Sequence, residues 1–171
     1  MGPNNMKKLL LCLLFLVSPM AVWAWSEPVF SPLIVLEPLA KNPPPVTGTT
    51  YYVDVQSLGG PCNNANAGTL LLPWCTVAKA MATLVAGEAV LIRAGTYAEG
   101  NLLPANSGIA GNYITYRAYP GEKPALDCAG KIWCIRTVTA SHIVIDGLDL
   151  SGPNQQLISC RENCDNWWVI N

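Results

Sequence analysis

The stretch "IDGLDL" runs from Ile145 to Leu150 and sets two carboxylates, Asp146 and Asp149, close together. On one strand face they would offer oxygen ligands to a calcium ion. At a corner of the chain, Asp146-Gly147 is simply a turn. Asp127 carries the same two readings. Lys131, Arg93, Arg117 and Arg136 would serve as a base or bind substrate carboxylates; otherwise they are solvated outward-facing positions. Glu88 with Glu99, or Glu122 with Asp127, would form a glycosidase acid/base pair if the fold brought them together. His142 is the one histidine. It precedes an apolar strand and has no evident serine or cysteine partner, which argues against a nucleophilic triad. Trp133, Trp167, Trp168, Tyr113, Tyr116 and Tyr119 would make a sugar-stacking strip, or else pack against the core.

The cysteines point to a compartment. The chain opens with Lys7 and Lys8, an apolar run from Leu9 to Val17, a break at Ser18-Pro19, and "VWA" ending at Ala24. This is the pattern of a secretory signal peptide over residues 1–24, cleaved after Ala24. The apolar run is short for a membrane span, so no stable span is expected in the mature chain. Cys62, Cys75, Cys128, Cys134, Cys160 and Cys164 follow it. An even count behind an export signal reads as disulfides formed outside the cytoplasm. Many connectivities are possible; the local pairs Cys62–Cys75, Cys128–Cys134 and Cys160–Cys164 are favoured. Cys160 and Cys164 have a tolerable spacing for zinc, but no second close pair and no partnered histidine supports a metal there. Without Lys7 and Lys8 the chain has 8 basic and 11 acidic residues, a net charge of −3. That excludes a basic nucleic-acid surface.

Residues 25–49 are rich in proline, including "NPPP" at Asn42–Pro45, and read as a linker. Order is expected from Thr50. "TYYVDV" has strand composition, and a loop of Gly and Asn follows. Val77, Ala80, Met81, Leu84 and Val85 then recur at helical spacing. Thr76 or Cys75 would start this helix, and Gly87 suits the left-handed position after its end. Beyond Gly87 only short strands and turns are read: 89–94, 113–119, 124–128, 133–138, 142–150, 156–160 and 167–171.

Two repeats organise these strands. Arg93-Ala94 returns as Arg117-Ala118, and "IVID" at Ile143–Asp146 returns as "WVIN" at Trp168–Asn171, over nearly the same interval. Short strands at such a period, with no helix between them, predict a solenoid. The Arg-Ala step would mark a corner repeated once per coil. Leu91, Ile92, Ile114, Ile135, Ile143, Ile145, Leu148, Ile158 and Ile170 would fill the interior.

The order "YYVDV…GTLLLPWCTVAKAM…AVLIRAGTYAEG…YITYRAYPGEKPALDC…SHIVIDGLDLSG" over residues 50–171 resembles the N-terminal part of right-handed parallel β-helix proteins of the pectate-lyase-like superfamily. It is similar to family-nine polysaccharide lyases and related proteins. The resemblance implies an all-β fold, a right-handed parallel β-helix of about two to three coils with one N-terminal capping α-helix. It implies a secreted, monomeric protein acting on uronate-rich polysaccharide by calcium-assisted β-elimination, with Asp146 and Asp149 as calcium candidates. The catalytic residues of such enzymes lie in middle coils, and none can be matched here. Residues 50–171 therefore read as a truncated domain, inactive alone. The alternative is a non-catalytic glycan-binding or adhesive module.

Overall fold

The computed structural model describes residues 42–162 and 164–170. The signal-peptide reading and the linker up to residue 41 lie outside the described residues. Residues from Asn42 onward form one compact unit.

That unit is a parallel β-solenoid of about three turns. Its first sheet holds β1 (Thr50–Val53), β2 (Ala89–Ile92), β4 (Ile114–Ala118), β7 (Ile143–Asp146) and β10 (Trp168–Ile170), stacked in that order. The second sheet stacks β3 (Gly95–Tyr97), β5 (Pro124–Asp127) and β8 (Asp149–Ser151). The third pairs β6 (Trp133–Thr137) with β9 (Gln156–Cys160), and a parallel bridge adds Leu102 beside Ile135. All strand pairings are parallel. One strand from each sheet, taken in turn, makes a coil, as in β4, β5 and β6.

Alternation within the strands separates inside from outside. Val53, Val90, Ile92, Ile114, Tyr116, Ile143 and Ile145 form the interior rows of the first sheet, joined by Tyr97, Leu126 and Ile135 from the others. α1 (Val77–Thr83) packs on β1, the first strand of its sheet. Thr76 caps it, with Oγ1 accepting from the Lys79 amide at 3.2 Å. Glu99 accepts from the first two helical amides, Val77 at 2.9 Å and Ala78 at 2.8 Å. Val77, Ala80, Met81 and Leu84 enter the core.

Several sequence expectations are corrected. The helix ends at Thr83, because Leu84 turns extended to bury its side chain and gives its carbonyl to Asn106 Nδ2 at 2.8 Å. Val85 is exposed. Gly87 has a left-handed φ of +87°, but it serves a turn before β2 in which its carbonyl accepts from Thr47 and Gly48. The run 142–150 is two strands, broken at Gly147, and β3 is a strand that the sequence does not announce.

The register also differs from the sequence repeats. Leu91 rather than Arg93 pairs with Arg117, and Ala89 pairs with Thr115. Val144 rather than Ile143 pairs with Trp168. A slip of two keeps the facing, whereas a slip of one inverts it. Leu91 and Ile170 thus share the outer row with Arg117 and Asp146 rather than filling the interior.

The Arg-Ala repeat has a different origin from a corner. Arg93 pairs with Glu122 and Arg117 with Asp146, in each case across to the following coil. The repeat marks a recurring ion pair between successive coils.

Tyr116 is fully buried, and its hydroxyl has no hydrogen-bond partner among the described residues. Burial pushes the hydroxyl's pKa up. Tyr116→Phe keeps the ring and removes the stranded polar group. It is expected to raise unfolding free energy by about 1 kcal/mol, read from urea melts. A loss of that size would show that the hydroxyl is satisfied.

Candidate functional site

The third sheet carries a groove of about 480 Å³ lined by Trp133, Arg136, Gln155, Gln156, Ser159, Cys160 and Arg161. Its walls are β6 and β9, in register Trp133↔Gln156 and Arg136↔Ser159. Trp133 is fixed from the preceding coil. Asn101, itself at a left-handed φ of +54°, accepts from the Ile132 and Trp133 amides, both at 3.2 Å, and its own amide donates to the Trp133 carbonyl at 2.7 Å. The Arg136 guanidinium lies over the Trp133 ring, 4.2 Å from its centroid. This cation–π stack holds the guanidinium plane while leaving its edge free to donate. Arg136 Nε is buried and has no hydrogen-bond partner among the described residues. Arg161 is anchored by its amide, which donates to the Thr137 carbonyl at 3.2 Å.

Two guanidinium groups, two side-chain amides and a hydroxyl thus face one groove beside an indole. Guanidinium recognises carboxylates bidentately, and amides and hydroxyls bond sugar hydroxyls. Trp133 and Arg136 each stand out in the sequence. Asn101, Gln155, Gln156, Ser159 and Arg161 do not, because only the β6–β9 register brings them together.

The other sequence candidates are engaged elsewhere. Asp146 accepts from Arg117 Nε at 2.7 Å, across neighbouring coils. Asp149 stands on β8 in a different sheet, beyond the Gly147 corner. Arg117 thus places a positive charge beside Asp146, and Asp149 lies across the corner from it. Asp127 Oδ1 accepts from the Ala129 amide at 3.0 Å, closing a turn. Glu88 accepts from the Val85 amide at 3.0 Å and from the Tyr51 hydroxyl at 3.2 Å. Glu99 caps α1 and Glu122 holds Arg93, so the proposed acid/base pairs are spent on structure. Lys131 is exposed.

His142 Nε2 lies 3.2 Å from the Asn166 amide nitrogen, and Nδ1 lies 3.2 Å from Ser141 Oγ. The ring is thus flanked by the Asn166 side chain on one side and the Ser141 hydroxyl on the other. The aromatic strip is scattered: Tyr116 is in the core, Trp167 Nε1 donates to the Ala140 carbonyl at 2.8 Å, and Tyr119 stacks under Arg93. The three local disulfides, Cys62–Cys75, Cys128–Cys134 and Cys160–Cys164, are all formed.

No family model and no curated protein matches the chain. Among solved structures it is similar to one described as a rhamnogalacturonan lyase, at 29% identity and a TM-score of 0.49. The match covers 59% of this chain and 28% of that one.

Proposed function

We propose that the third-sheet groove binds a segment of acidic polysaccharide, and that these coils belong to a secreted, lyase-like β-helix protein. The observation that carries the reading is the convergence of Arg136, Arg161 and Trp133 on one groove with three uncharged hydrogen-bonding side chains. The three disulfides and the N-terminal signal pattern support an extracellular setting. The resemblance of the sequence to polysaccharide lyases points to the same ligand class.

Within the groove the reading is binding rather than cleavage. Its donors suit carboxylates and hydroxyls, and the guanidinium of Arg136 is braced against an indole, which supports binding. The test is fluorescence polarisation with labelled oligogalacturonate and with an uncharged galactan of equal length. The uronate should bind at least tenfold tighter and weaken with added salt. A chelator should leave binding unchanged, because the Asp146 carboxylate is held by Arg117. Equal affinity for both glycans would overturn the reading. A calcium-dependent rise in the ultraviolet absorbance of unsaturated uronate would replace it with the catalytic one.

A further inference from the structure

Two arginines line the third-sheet groove, and they are held in different ways. Arg136 lies inside β6 and stacks on the Trp133 ring. Arg161 lies just past the end of β9, the partner strand in a two-stranded sheet. It is exposed, and among the described residues its side chain makes no ion pair and stacks on no ring. A guanidinium on a free stem loses rotamer freedom when it binds, and that loss is subtracted from affinity.

The backbone that carries Arg161 is fixed instead. Its amide donates to the Thr137 carbonyl at 3.2 Å, and the Glu162 amide donates to the Val138 carbonyl at 3.0 Å. The Cys160–Cys164 disulfide then closes a ring in which Arg161 is the first residue after Cys160. Cys160 itself lines the groove. Beside Cys164, the Asp165 carbonyl accepts from the His142 amide at 2.9 Å, which ties the far side of the ring to the corner before β7.

This bridge does little for the fold as a whole. A disulfide restrains the unfolded chain less as the loop it closes shortens. This one has a sequence separation of 4, against 6 for Cys128–Cys134 and 13 for Cys62–Cys75. Cys128 and Cys134 are fully buried, whereas Cys160 is exposed. What so short a bridge does most is limit the backbone from which the neighbouring arginine projects.

We infer that the Cys160–Cys164 disulfide is a positioning element of the groove, presetting Arg161 to meet a uronate carboxylate with little further ordering. The inference rests on the reading of the groove as a glycan site and makes its affinity depend on an intact bridge at the groove's edge.

The experiment uses the full chain and labelled oligogalacturonate, read by fluorescence polarisation before and after treatment with a water-soluble phosphine. The phosphine is oxidised to its oxide, with oxygen from water, and the disulfide is reduced to two thiols. These are capped with iodoacetamide and located by peptide mapping. Opening the 160–164 bridge should weaken uronate binding about fivefold, the cost of ordering one arginine. Cys160→Ser combined with Cys164→Ser should bind with the same lowered affinity and ignore the phosphine. In Arg161→Gln, opening the bridge should change affinity by less than about twofold, because the group it positions is gone. A bridge that only held the fold together would weaken both chains alike. Unchanged uronate affinity after opening, or an equal loss in Arg161→Gln, would overturn the inference and leave the groove reading standing. No uronate binding by the intact wild type would overturn both.

Discussion

Glu122→Ala is expected to lower unfolding free energy by about 2–3 kcal/mol. Glu122 receives three charge-assisted bonds from Arg93, at 3.0, 3.0 and 2.8 Å, and a fourth from the Ala94 amide at 2.6 Å. Both side chains are well covered, 15% and 21% exposed, and the Arg93 guanidinium rests on the Tyr119 ring, 4.4 Å from its centroid. Removing the carboxylate strands this guanidinium and an amide together. Hydrogen bonding from Arg93 is the largest cause, with the Ala94 amide and the Arg93 charge adding to it, that holds the Glu122 carboxyl below its usual pKa. A lowered native value stabilises the fold at pH above the ordinary carboxylate range. That contribution is lost as pH falls through the depressed value. Urea melts at a series of pH values should show Glu122→Gln with a flatter acid limb than the wild type. Parallel acid limbs would show that the pair carries no linkage.

Arg136→Ala is expected to weaken oligogalacturonate binding about 10- to 100-fold, the loss of one or two hydrogen bonds to a charged group. Arg161→Gln should act in the same direction, and the double variant should lose less than the two losses combined if both arginines hold one carboxylate. Stability separates this from misfolding. Among the described residues Arg136 makes no ion pair, and loss of its stack on Trp133 is offset by removal of its stranded Nε, so the thermal midpoint should barely move. Trp133→Ala should weaken binding by loosening the guanidinium that the indole supports. Wild-type affinity in Arg136→Ala would remove the groove from consideration.

The strands were legible where the solenoid repeats itself locally. Apolar alternation in "AVLI", "ITYRA" and "IVID" reports the inner row, and close cysteine pairs report the loops they close. The register was not legible, because corners absorb insertions without disturbing the ladders. Along one outer row of the first sheet Leu91 meets Arg117, Arg117 meets Asp146 and Asp146 meets Ile170, and no two of these steps are equal in length. A matched dipeptide therefore measures chemistry rather than stacking, as Arg93 and Arg117 do through their acidic partners one coil on. The groove was half legible for the same reason. Trp133 and Arg136 stand out within one strand, but Gln156, Ser159 and Arg161 join them only through the pairing of β6 with β9, a full coil later. Asp146 drew attention as a metal ligand because sequence does not show which cation already neutralises it.

The first and last described coils differ. On one side α1 packs on β1, and the outer edge of β1 is occupied by Trp74, bonded in both directions at 3.0 and 2.9 Å. On the other, Leu148, Leu150, Leu157, Ile158 and Val169 line a hollow of about 210 Å³ beside the last described strands. A parallel stack with two such faces would be a template for indefinite fibre growth. At β1 that template is absent, because the edge groups a further strand would pair with are already bonded to Trp74.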